Sequence, residues 1–283
     1  MNAATGLRVA MLGPDGIGKT TLTEAIRDRL AERGVELDVV SWRRLIDGRP
    51  APRPYPQTAV EQLWVEDWRL LYGGGTVQQS SVDERIPRTF DEFAALRAEE
   101  TFPLGAQGVR SSGPLASGLV EAALDFVIEA EVVRPRAAEG VVVVRESYGY
   151  KPVLKALLIA AACQEDTVPS EVVQRMVERV TDIYADPFLQ PDVGILLDGD
   201  PGTAHARRSL QGRGVGVAED YALSGREGAQ SFLSLQEECT AHFTKAAADW
   251  GWYRLAVGER TPESLCDEIV DGLLAPRLWG EGA

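Results

Sequence analysis

Short apolar runs and stretches of helical period alternate along most of the chain. Residues 7–12 are an apolar run that stops at Gly13, which predicts a buried strand. From Lys19 the period changes: Leu22, Ile26 and Leu30 fall four apart, predicting a helix that Gly34 ends. Residues 35–42 predict a second strand, and 47–56, rich in proline and arginine, a loop. The valine run 141–144 has the composition of a central parallel strand covered on both faces. Residues 193–197 and 252–256 predict the last two strands. Helical periods occupy 115–138, 151–163, 170–184, 229–250 and 262–274, and another helix starts at 203. Pro262 suits the first helical position. Strands alternating with helices predict an α/β chain with a parallel, doubly wound, five-stranded sheet. Residues 57–115 fit this scheme least. Helices over 58–72 and 91–100, separated by Gly73-Gly74-Gly75, predict a helical insertion spanning 47–115 within one domain over 1–283.

Composition narrows the partners. The 283 residues are 45% hydrophobic and 25% charged, ordinary values for a chain able to bury a sizeable core. The net charge of -14 argues against a nucleic-acid surface, which needs a basic field. No apolar run reaches the roughly 18 residues of a membrane span, and residues 1–7 are too short and polar for a signal peptide. Cys163, Cys239 and Cys266 are far apart and form no CxxC pair, so a disulfide framework or zinc site is not expected. The expected setting is a reducing cytoplasm with no membrane contact.

The chemistry concentrates where the first strand meets the first helix. Gly13-Pro14-Asp15-Gly16-Ile17-Gly18-Lys19-Thr20 matches G-x-x-x-x-G-K-[ST], a P-loop. Glycines let the backbone wrap so that successive N–H groups face phosphates, and the following helix adds the partial positive charge of its N-terminus. Lys19 is then expected to reach the β- and γ-phosphates of ATP, and the Thr20 hydroxyl to ligate Mg²⁺. Thr21 completes the cradle. The strand-before, helix-after context fits the motif and is not that of an incidental glycine turn. The expected fold is that of a P-loop NTPase.

Other segments extend the likeness. Asp15-Gly16, then Gly18-Lys19-Thr20-Thr21, resembles the loop of thymidylate kinases. Val133-Arg134-Pro135, Gly140 and the strand ending in Glu146-Ser147-Tyr148 are similar to that family's segment ending in Asp-Arg-Tyr, and Pro191-Asp192 through Leu196-Leu197-Asp198-Gly199-Asp200-Pro201 resembles its P-D-L-x-x-x-L-D-x-x-P strand. The resemblance covers roughly 6–46 and 115–274. It implies an ATP-Mg²⁺-dependent kinase with a lid over 201–228, an adenine-packing arginine at Arg207, Val257 and Gly258 beside adenine, and a homodimer. The helix over 115–138, with Leu119, Ala122, Ala123, Phe126 and Val127, is the expected dimer element. Two positions depart from the family. Ser147 and Asp125 stand where it has arginines for the acceptor phosphate, and neither replaces a bidentate fork. The expected acceptor is therefore a neutral hydroxyl compound, nucleoside-like, rather than a monophosphate. Arg43, Arg44 and Arg145 are the cations left for a phosphate, and Tyr148 is grouped with the acceptor residues.

Each remaining role has a bland counterpart. Glu146, at a central strand end, is expected to hold Mg²⁺ through water or take the acceptor's proton, against pairing with Arg145. Asp15 is expected to bind an acceptor hydroxyl or act as base, against stabilising its turn. Arg207 and Arg213 are expected to supply transition-state charge from the lid, against forming a solvated face, with Arg208 evenly placed. Asp198 and Asp200 read as a structural turn, His205 and His242 as packing residues, and Trp64 with Trp68 as core. The competing functions are a monophosphate kinase and a regulatory P-loop ATPase. A GTPase switch would show N-K-x-D, and the chain has none.

Overall fold

The computed structural model describes residues 6–42, 44, 52–53, 56–77, 80–98, 108–163, 167–210 and 228–279. Strand β1 (Arg8–Leu12) runs into the glycine loop and helix α1 (Lys19–Glu32), followed by β2 (Leu37–Val40). Helix α2 (Gln57–Leu71), the two-residue strands β3 (Thr76–Val77) and β4 (Ser80–Ser81), and α3 (Phe90–Ala98) occupy the stretch that fitted no simple pattern. Helix α4 (Ser112–Ile128) continues through a wide turn, Glu129–Val133, into α5 (Arg134–Ala138). Then come β5 (Val142–Arg145), α6 (Tyr150–Ala162), α7 (Ser170–Tyr184), β6 (Val193–Asp198), α8 (Pro201–Leu210), α9 (Ala229–Asp249) and β7 (Tyr253–Ala256). The chain closes with α10 (Pro262–Asp267), a wide-turn segment Glu268–Leu274, and α11 (Ala275–Trp279).

The five long strands form one all-parallel sheet in the order β2-β5-β1-β6-β7. The glycine loop thus leaves the central strand. Alternation in β1 builds two cores. Ala10 and Leu12 face one side, packed with residues of α2, α4, α6, α7 and α9. Val9 and Met11 face the other, against α1 and the C-terminal helices. Val142, Val143 and Val144 are fully buried, and each such side chain contributes about 1.5–3 kcal/mol. The helices on both faces explain why these strands read as continuous apolar runs.

The stretch that fitted no pattern has its own logic. Trp64 stacks on Trp42 with ring centroids 5.6 Å apart and meets Phe90 and Phe93 edge-on. Trp68 packs 5.2 Å from Phe93. The tryptophan pair is core, as expected. One glycine is essential for helix packing: a Cβ on Gly149, just before α6, would lie 1.2 Å from Asp125 Oδ2.

Candidate active site

The loop 13–18 wraps as its glycines allow. Gly13, Gly16 and Gly18 have φ of 148°, 85° and 105°. Gly18 is the N-cap of α1 in the left-handed region, with no side-chain cap and no acidic residue in the first turn. The first N–H groups of α1 therefore lack an internal acceptor, as a phosphate site requires. They open on a cleft of about 460 Å³ lined by the loop, Lys19, Thr20 and Thr21 together with Arg207, Arg208 and Arg260. Val257, buried, forms part of its apolar wall with Ile17 and Leu265. Arg207 donates to the Gly258 carbonyl at 2.5 Å, and the Arg208 guanidinium lies 5.8 Å from the Phe232 ring centroid.

Lys19 folds over its own loop, donating to the Gly13 and Pro14 carbonyls at 2.9 Å each. Burial, then the ammonium of Lys151, pushes the Lys19 pKa well down, against attraction from Asp15 and Glu146. Phosphate oxygens would offer this lysine the counter-charge that its burial withholds. Glu146 follows β5 directly, is 7% exposed and lies near enough to Lys19 to attract its ammonium, but it does not line the cleft.

Asp15 is the most heavily bonded group in the loop. Its Oδ1 lies 2.6 Å from Lys151 Nζ and its Oδ2 3.5 Å from Lys155 Nζ. Gln236 pairs with it twice, donating from Nε2 to Oδ2 at 2.9 Å and accepting from the Asp15 N–H at 2.8 Å. Lys151 Nζ also donates to the Gly13 carbonyl at 2.9 Å. Burial would raise the Asp15 pKa; Lys151, Lys155 and Lys19 outweigh it and hold the carboxyl well below its usual range. Such a carboxylate is a weak proton acceptor. The observed contacts of Asp15 tie the loop to α6 and α9. Lys151, Lys155 and Gln236 were not foreseen. The i,i+4 spacing of the two lysines was visible, but their target lies 136 residues away from Lys151.

Three expected acceptor residues are used elsewhere. Asp125, 3% exposed, pairs with Arg145 and accepts a hydrogen bond from the Tyr184 hydroxyl. Arg145, 6% exposed, holds its guanidinium 5.6 Å from the centroid of the Tyr148 ring. Tyr148 is fully buried and donates to the Leu189 carbonyl at 3.0 Å. None of the three lines the cleft. Arg145 reaches Asp125 through Nη2 alone, its Nε and Nη1 being buried without a hydrogen-bond partner, so Asp125 supplies the countercharge that holds it in the core. Arg44 is likewise committed, to Glu24 on α1 at 2.9 Å. Arg43 and Arg213 lie outside the described residues, as does most of the expected lid. Asp198 pairs with Arg254 at 2.7 Å, and Asp200 caps α8 at Thr203, both structural as expected. Among the described residues no three His, Cys, Asp or Glu side chains converge as a metal site; Mg²⁺ held mainly by phosphates and water needs no such cluster. No helix among the described residues is long and apolar enough to cross a membrane. No protein-family model matches the chain, and no curated protein matches it.

Proposed function

We propose that this protein is an ATP-Mg²⁺-dependent phosphotransferase of the P-loop NTPase fold, acting on a hydroxyl of a small molecule. One observation carries the reading: the complete glycine cradle, placed between a central parallel strand and an uncapped helix N-terminus, faces a cleft whose lining includes three arginines. Bound Mg-ATP supplies the γ-phosphoryl group and leaves as Mg-ADP. The loop N–H groups and Lys19 would bind the phosphates, and Thr20 would hold Mg²⁺, which would neutralise phosphate charge, with Glu146 a candidate to reach it through water. Arg207 and Arg208 supply positive charge where negative charge develops in the transition state, while Arg260, paired with Glu268 at 2.7 Å, borders the cleft. Val257 and Ile17 give the nucleotide an apolar wall. Glu146 is the carboxylate available to take the acceptor's proton, since the lysines keep Asp15 ionised.

Lys155, which lines a second cavity, favours a second reading, a monophosphate kinase in which this lysine, not an arginine, meets an acceptor phosphate. A homodimer in the cytoplasm completes the proposal. Leu119 and Phe126 on α4 are 41% and 40% exposed at helical spacing, leaving an apolar stripe for a second copy.

Calorimetric titration with Mg-ATP tests the nucleotide site. Wild-type protein should bind, and folded Lys19→Ala should bind at least about tenfold more weakly. Equal affinity in both proteins would show that the loop is not the phosphate cradle.

A further inference from the structure

A second cavity, about 140 Å³, lies between α2, α4 and α6. Its polar lining is Asp67, Ser117, Glu121 and Lys155, set among apolar residues and the edge of Trp68. An apolar cavity of roughly 150 Å³ accommodates a single six-membered ring. Lys155 connects this cavity to the loop, its Nζ lying 3.5 Å from Asp15 Oδ2. A ligand seated here is one side chain away from the cradle.

The two acids are unusual for their surroundings. Asp67 is 3% exposed and Glu121 8%. Burial pushes Asp67 up to about 7, against hydrogen bonds to Ser117 and Glu121. Burial also raises Glu121 well above its usual range, helped by Asp67 and Asp125 and opposed by Arg145. Asp67 Oδ1 has no hydrogen-bond partner. A buried acceptor left in that state costs about 1–3 kcal/mol, so the site is built for a donor that is not part of the chain. The nearby cations are engaged: Arg145 with Asp125, Lys155 with Asp15. Burial thus favours a proton on both carboxyls while the cavity holds no bound cation. A protonated amine brings N–H donors for Asp67 Oδ1 and a positive charge against which the acids can ionise, and an uncharged ligand brings no such charge.

We propose that this cavity is the acceptor pocket and that its ligand is a ring-sized hydroxyl compound carrying a protonated amine, whose N–H groups meet Asp67 and Glu121. The inference rests on the phosphotransferase reading and deepens it by naming the acceptor's chemistry. Asp67 and Glu121 are specificity residues; they hold the amine while the hydroxyl turns toward the loop.

The test uses matched rings: D-glucosamine against D-glucose, and trans-2-aminocyclohexanol against trans-1,2-cyclohexanediol. Each is titrated by calorimetry and assayed for ATP consumption, with wild type and Asp67→Asn. At least one amine should bind about tenfold or more tightly than its neutral partner in wild type. Asp67→Asn should erase that preference and leave Mg-ATP affinity unchanged. Glu121→Gln carries the same test should Asp67→Asn fail to fold. No amine preference in either pair, a preference that survives Asp67→Asn, or no binding of any probe at millimolar concentration overturns the inference. Amine-selective binding without ATP consumption supports the pocket and counts against the phosphotransferase. Phosphorylation of the neutral ring in preference to the amine does the reverse.

Discussion

Replacing Asp67 by asparagine should stabilise the protein at neutral pH, and the size of the effect follows from burial. The carboxyl is 3% exposed and its pKa rises from 3.8 to about 7. Each pKa unit corresponds to about 1.36 kcal/mol, so the rise amounts to about 4 kcal/mol. Its sign is fixed by linkage. Between pH 4 and 7 the folded state keeps a proton that the unfolded chain has released. The unfolded state then binds fewer protons, and stability falls as pH rises through that window, levelling above it. An asparagine amide stays neutral throughout. Asp67→Asn should therefore match wild type near pH 4 and exceed it by up to about 4 kcal/mol at pH 8. Urea unfolding at pH 4, 5, 6, 7 and 8 measures the difference directly. Two curves that stay parallel across this range would show that Asp67 ionises as freely as an exposed carboxyl, and the argument from its buried surroundings would fail.

Lys151→Met removes the closest cation from Asp15 and should cost about 3–5 kcal/mol in denaturant unfolding, as when one partner of a buried pair is lost; a loss below about 1 kcal/mol contradicts the bracing role. Gly149→Ala places a Cβ 1.2 Å from Asp125 Oδ2 and should cost about 1–3 kcal/mol, read as a lowered Tm. Light scattering should give a dimer mass at micromolar concentration, and Phe126→Glu should shift it to monomer; a monomeric wild type refutes the proposed pairing.

The sheet was legible because its strands are buried on both faces. The valines of β5 and the run before Gly13 admit no other placement, and their flanking glycines set the ends to within two residues. The wrap of the glycine loop was legible for a different reason: its conformation is local, set by glycines at 13, 16 and 18 within eight consecutive residues. What sequence did not show is what folding assembles. Asp15 and Gln236 lie 221 residues apart, and only the return of α9 beside the loop joins them. Asp125 was grouped with the acceptor because it aligns with a phosphate-binding position of the resembled family, and Arg145 because it is one of the few cations near the strand end. In this chain opposite charges at those two positions neutralise each other inside the core. The β3–β4 pair was missed because two residues per strand carry no period. Asp67 and Glu121 sit on helices with ordinary surface-like acids, and nothing in their spacing marks them as buried.

The central claim is transfer of phosphate from ATP, and label transfer tests it most directly. The folded protein is incubated with Mg²⁺ and γ-labelled ATP against a library of hydroxyl compounds that includes nucleosides, nucleoside monophosphates and amino-bearing rings. Products are resolved by mass spectrometry. The account expects label on the hydroxyl of at least one small molecule, with Lys19→Ala reducing the rate by about a hundredfold or more. Label appearing only as inorganic phosphate, at a rate that no acceptor changes, would contradict it.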